Sequence, residues 1–171
     1  VYDQGIAVES PETAYDFLEN AADAVWSAGP PSEQLIWSGE TGDSQGYARL
    51  SGGSLENGSL LTDPCLETRP KATAGGWIQG HFTEMAEGAY TVQERDHIHA
   101  SIALLESGLQ GNVKYRVMLK IKDGDRVILL EEPHRYGEGL EVLSADLSDY
   151  VGETVSIILA VDAGSSATDD R

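Results

Sequence analysis

With a single cysteine, Cys65, this 171-residue chain can form no internal disulfide, so its fold must be held by a packed core. Basic residues are scarce: Lys plus Arg number 11 against 29 for Asp plus Glu, a formal net charge of -18. The lysines are Lys71, Lys114, Lys120 and Lys122. Such a surface repels nucleic-acid phosphates and anionic lipid headgroups. It suits divalent cations, a high-salt medium, or high solubility. No apolar run approaches the ~20 residues that a membrane-spanning helix needs. No N-terminal stretch reads as a signal peptide, though a mature chain cut from a precursor would look the same. Also missing are the Gly-x-Ser-x-Gly frame of a nucleophile elbow, a phosphate-cradling glycine loop ending in Lys-Ser or Lys-Thr, and EF-hand spacing.

Glycine is plentiful. Nineteen glycines separate short apolar runs in a chain that is 40% hydrophobic, the pattern of an all-β fold. Asn112–Lys122 (NVKYRVMLKIK) alternates strictly. Val113, Tyr115, Val117, Leu119 and Ile121 fall on one strand face, and Lys114, Arg116, Met118, Lys120 and Lys122 fall on the wet one. Asp123-Gly124 then predicts a tight hairpin turn into Arg126–Glu132 (RVILLEE). Further strands are predicted at Gly46–Leu50, Gly76–Phe82, Ile98–Glu106 and Leu140–Leu147. The near-continuous apolar run Thr154–Asp162 predicts a central strand buried on both faces. Leu60–Thr68 is extended but broken by Pro64. Tyr15–Trp26 fits a helix stripe or a strand face. Asn57-Gly58-Ser59 is a glycosylation sequon in a turn. Cys65 reads as a small buried hydrophobe, or alternatively as half of an intermolecular bridge.

Several segments resemble bacterial and archaeal secreted jelly-roll modules with a carbohydrate-binding-like fold. They are Gly39–Leu50 (GETGDSQGYARL), Leu55–Gly58, Leu66–Phe82 (LETRPKATAGGWIQGHF), and Asp146–Gly152 (DLSDYVG) leading into Thr154–Val161. The resemblance spans most of Tyr15–Arg171. It implies a jelly-roll β-sandwich of two antiparallel sheets over residues 14–171, and it tips Tyr15–Trp26 toward a strand. It also implies one more strand after Val161-Asp162-Ala163-Gly164, where this sequence has only a polar loop. At the other end, residues 1–13 form a strand-like arm, Val1–Val8 (VYDQGIAV), and a linker. A sandwich short of one strand exposes unpaired N–H and C=O groups beside an open core. Three repairs are open: the arm fills that gap in its own chain, it fills the gap in the next molecule by donor-strand complementation, or the chain is one repeat of a tandem array that forms a stalk or fibre.

The expected function is therefore a non-catalytic structural subunit of an extracellular filament or surface assembly, a head-to-tail homopolymer of identical subunits. Its donor-strand residues would be Val1, Tyr2, Ile6 and Val8. The alternative is a carbohydrate-binding module of a secreted enzyme or adhesin, with polysaccharide as partner. Its candidate stacking rings are Trp37, Trp77, Tyr90 and Tyr136, while Trp26 reads as core. Calcium is the cofactor the acidic loops suit, through Asp43, Asp162, Asp169 and Asp170. His97-Ile98-His99 places two imidazoles on one strand face, as metal-dependent jelly-roll enzymes do. Glu106, however, lies further along than that motif puts its carboxylate. His81 and His134 read as isolated surface groups.

Overall fold

A computed structural model describes residues 12–82, 90–108 and 111–165. The arm Val1–Val8 and the acidic pair Asp169 and Asp170 lie outside the described residues. Among the described residues, eleven strands and one 3₁₀ turn (Ser148–Tyr150) make up the regular structure. The strands are β1 (Val25–Gly29), β2 (Glu33–Gln34), β3 (Tyr47–Ser51), β4 (Cys65–Arg69), β5 (Trp77–Phe82) and β6 (Tyr90–Thr91). They continue with β7 (His97–Ile102), β8 (Asn112–Ile121), β9 (Arg126–Arg135), β10 (Glu141–Asp146) and β11 (Thr154–Ala163). Every pairing is antiparallel. The chain is an all-β sandwich.

The larger layer runs β2-β1-β5-β11-β8-β9, with β6 on the end of β11. The apolar run of β11 is central, paired with β5 on one side and β8 on the other. Its hairpin neighbour β8 turns into β9 through Asp123, which adopts φ of 60°, a left-handed conformation Asp tolerates. Facing this layer are two separate pairs, β3-β4 and β7-β10. Trp26 and Ala28 from β1, Ile78 and Phe82 from β5, and Val113 and Val161 pack against Ala48 and Leu104. Val117, Leu119, Val155 and Ile157 pack against Ile98 and Ala145 from the β7-β10 pair. Trp26 is core, with its indole N–H donating to the Ala21 carbonyl at 2.8 Å.

Three expectations are corrected. Tyr15–Trp26 is not a strand before Val25: residues 17–23 are consecutive turns. The Asp16 carboxylate accepts from the Leu18 and Glu19 amides, and the Asp16 carbonyl accepts from the Asn20 amide. This competes with extended structure. Phe17 still reaches the core, edge-on to Phe82 at 5.0 Å. The outer face of β8 is not uniformly wet, because Met118 clusters with Ile158 and Ala160 and is buried. His134 is wholly buried rather than a surface group. Its Nε2 meets Glu56 Oε1 at 2.7 Å, with Glu141 and Glu138 carboxylates 3.5 and 3.9 Å from Nδ1.

A second buried carboxylate, Glu67 on β4, sits opposite β3. Tyr47 Oη donates to it at 2.6 Å, Ser51 Oγ at 2.7 Å and Arg49 Nε at 2.8 Å. These donors come from alternate residues of one strand, so they share a face.

Candidate functional site

Cross-strand register places three rows of side chains on the outer face of the larger layer. The first row is Gly29, Trp77, Asp162, Lys114 and Pro133. The second is Ser27, Gln79, Ala160, Arg116 and Glu131. The third is Val25, His81, Ile158, Met118 and Ile128. Opposite residues in an antiparallel sheet put their Cβ atoms about 5 Å apart, so each row is a continuous strip.

Trp77 lies across Gly29, whose missing side chain makes room for the ring: a Cβ there would stand 2.5 Å from Trp77 Cζ2. The ring is half-buried and belongs to neither main core cluster. Around it Gln79 Nε2 donates to Ser27 Oγ at 3.3 Å, Arg116 pairs with Asp162, and Lys114 Nζ stands 3.7 Å from Glu131. At the Trp77 end the sheet opens into a cleft of about 500 Å³ whose lining includes Gly76, Asn112, Lys114, Arg135 and Asp162. Asn112 braces its rim by exchanging hydrogen bonds with Ser165. On the same face His81 bonds Ser156 at 2.7 Å, and burial, reinforced by Arg126 and Lys120, pushes its pKa down.

The other three candidate rings are committed elsewhere. Trp37 stacks on Trp26 at 5.9 Å and 22° and packs on the core. Tyr90 packs on the core and donates to Asp96 at 2.5 Å. Burial, with that carboxylate beside it, pushes its phenol up to about 12. Tyr136 packs on the core and donates to the Glu106 carbonyl at 3.3 Å. The four rings do not form one row.

His97 and His99 do share an exposed face, with ring centroids 5.8 Å apart and Asp146 4.0 Å from His97. Among the described residues no group of three His, Cys, Asp or Glu side chains could hold a metal ion. Asp43 closes a turn by accepting from the Gln45 amide, and Asp162 is paired with Arg116. The structure does not bring these two together at one cation site. Cys65 is half-buried, and burial pushes its thiol pKa up. No helix among the described residues is long and apolar enough to cross a membrane.

The site that sequence reasoning missed is the strip itself. Gln79, Lys114 and Arg116 read only as polar strand positions, and their convergence on Trp77 depends on strand order. As chemistry, the strip offers one aromatic surface among amide, hydroxyl, carboxylate and cationic groups, both donors and acceptors.

No family model matches the chain, and no curated protein matches it. Among solved structures it is similar to the CBM22-2 xylan-binding domain from Paenibacillus barcinonensis Xyn10C. The likeness has a TM-score of 0.40 and 11% identity, over 92% of this chain and 87% of that one.

Proposed function

We propose that this protein is a non-catalytic, extracellular carbohydrate-binding module that holds a polysaccharide on the outer face of its larger sheet. The observation that carries the reading is Trp77 lying over Gly29 beside Gln79, Ser27, Asp162, Arg116 and Lys114. A pyranose ring presents a C–H face and a rim of hydroxyls. The indole takes the first, and the mixed donors and acceptors take the second. With a net charge of -18, the module favours neutral glycans over polyuronates. Affinity electrophoresis through gels containing neutral or acidic polysaccharides tests this. Retardation by a neutral polymer, lost in Trp77→Ala, is expected; unretarded migration through every gel would refute it.

A second reading, the filament subunit joined head to tail by its N-terminal arm, is favoured by a different observation. The smaller layer consists of two strand pairs that, among the described residues, are joined by the single antiparallel bridge Leu55–Leu105. Loss of high-molecular-weight assemblies on deleting residues 1–9 would support it, and unchanged assemblies would refute it.

A further inference from the structure

Positive charge is concentrated in one place. Of the eleven Lys and Arg residues, six fall within the β8-β9 hairpin: Lys114, Arg116, Lys120, Lys122, Arg126 and Arg135. The same stretch holds four acids, Asp123, Asp125, Glu131 and Glu132, so it is cationic in a chain of net charge -18. Two of these cations are already engaged. Arg116 pairs with Asp162, and Lys120 Nζ donates to the Gly124 carbonyl.

Lys114 and Arg135 are the two that line the cleft of about 500 Å³ beside Trp77. Arg135 is exposed next to the wholly buried His134, so it points to the outer face. Among the described residues its guanidinium meets no carboxylate, and only its backbone amide does, donating to Glu138 at 2.7 Å. Lys114 stands 3.7 Å from Glu131, with both side chains half-exposed. Such a pair is held weakly, so the ammonium can turn toward a stronger acceptor. The acid in the lining, Asp162, is neutralised by Arg116. The cleft is thus a cationic recess with a planar guanidinium at its edge, a group whose fork matches a carboxylate.

We propose that this cleft takes a carboxylate carried on a side group of the bound glycan, so that the ligand is a neutral polysaccharide with sparse acidic branches. This rests on the carbohydrate-binding reading and names its substrate class. Trp77, Asp162 and Lys114 are successive cross-strand neighbours. Two strand spacings, about 10 Å, separate the indole's strand from that of Lys114, so a ring adjoining the one on Trp77 brings its side group to the cleft. The net charge does not oppose this. Charges further off than about 10 Å are largely screened at 0.1 M salt, and the local pair decides. A continuous polyuronate differs, because every ring would set a charge against the acidic surface.

Affinity electrophoresis at low salt tests the proposal with neutral glucan, mannan and xylan, each unmodified and lightly carboxymethylated. For the backbone that retains the protein, the carboxymethylated form is expected to bind about three- to fivefold tighter, the contribution of one exposed charge pair. Arg135→Gln should bring the two forms level and keep retention by the unmodified polymer. Lys122→Gln removes the same charge just past the other end of β8 and should leave the gain intact. Circular dichroism checks the fold of both variants. Equal or weaker binding of the carboxymethylated form, a gain that survives Arg135→Gln or is lost equally in Lys122→Gln, or loss of both forms together in Arg135→Gln would overturn the proposal and leave the neutral-glycan reading standing. No retention by any polymer, modified or not, would overturn both.

Discussion

The Trp77 indole occupies the space that a side chain on its cross-strand partner Gly29 would fill, 2.5 Å from where that Cβ would stand. Glycine at this position seats the ring. Gly29→Ala should therefore displace the indole and weaken retention by a neutral polysaccharide several-fold, with the fold kept. The far end of a half-buried side chain can move more readily than backbone. Tryptophan fluorescence and affinity electrophoresis on the same sample check both halves.

Trp77 and Trp37 should separate cleanly. Trp77→Ala is expected to abolish glycan retention and cost at most about 1–2 kcal/mol, since the ring lies outside the main core clusters. Trp37→Ala removes the ring stacked on buried Trp26 and should cost about 3 kcal/mol. Urea unfolding midpoints measure the difference. The opposite order would contradict the assignment.

Glu67 joins β4 to three side chains of β3. Glu67→Ala leaves Arg49 and two hydroxyls without their shared acceptor and should cost about 3 kcal/mol. Tyr47→Phe removes the bond to Glu67 while leaving its other two donors and should cost about 1–2 kcal/mol. Equilibrium denaturation of both variants checks the ranking.

Acid should unfold the protein through its buried carboxylates. Burial alone would raise Glu56 and Glu67. For Glu56, the bonds from His134 and from the Leu104 and Gly137 amides outweigh it; for Glu67, those from Tyr47, Ser51 and Arg49 do. Both pKa values end below the ordinary one. A depressed carboxylate stabilises the fold fully above its unfolded pKa of about 4.3 and loses that contribution as pH falls through the folded value. His81, held low by burial, adds a loss of the same sign that begins below about pH 6.5. Urea midpoints should therefore decline gently below that point and steeply below about pH 4. Glu67→Gln should flatten the steep limb, and an unchanged limb would count against this account.

The strands most legible in the sequence were those whose pattern is local. Alternation and Asp123-Gly124 marked β8 and β9, and the near-continuous apolar run marked β11 as central. The turns at residues 17–23 were hidden because Phe17, Ala21 and Val25 suit a helix stripe and, with Tyr15, a strand face. The deciding contacts come from the Asp16 side chain and carbonyl. His134 looked isolated because its partner Glu56 is 78 positions away. The strip around Trp77 was illegible for the same reason. Trp77, Asp162 and Lys114 become neighbours only once β11 lies between β5 and β8.

The most direct test is a ¹⁵N-resolved NMR titration of the protein with neutral oligosaccharides. Shifts confined to the Trp77 indole and the backbone of Gln79, Lys114, Arg116 and Asp162 are predicted. Shifts clustering instead on His97, His99 and Ser144, or no shifts with any sugar, would contradict the assignment of a glycan to the outer face of the larger sheet.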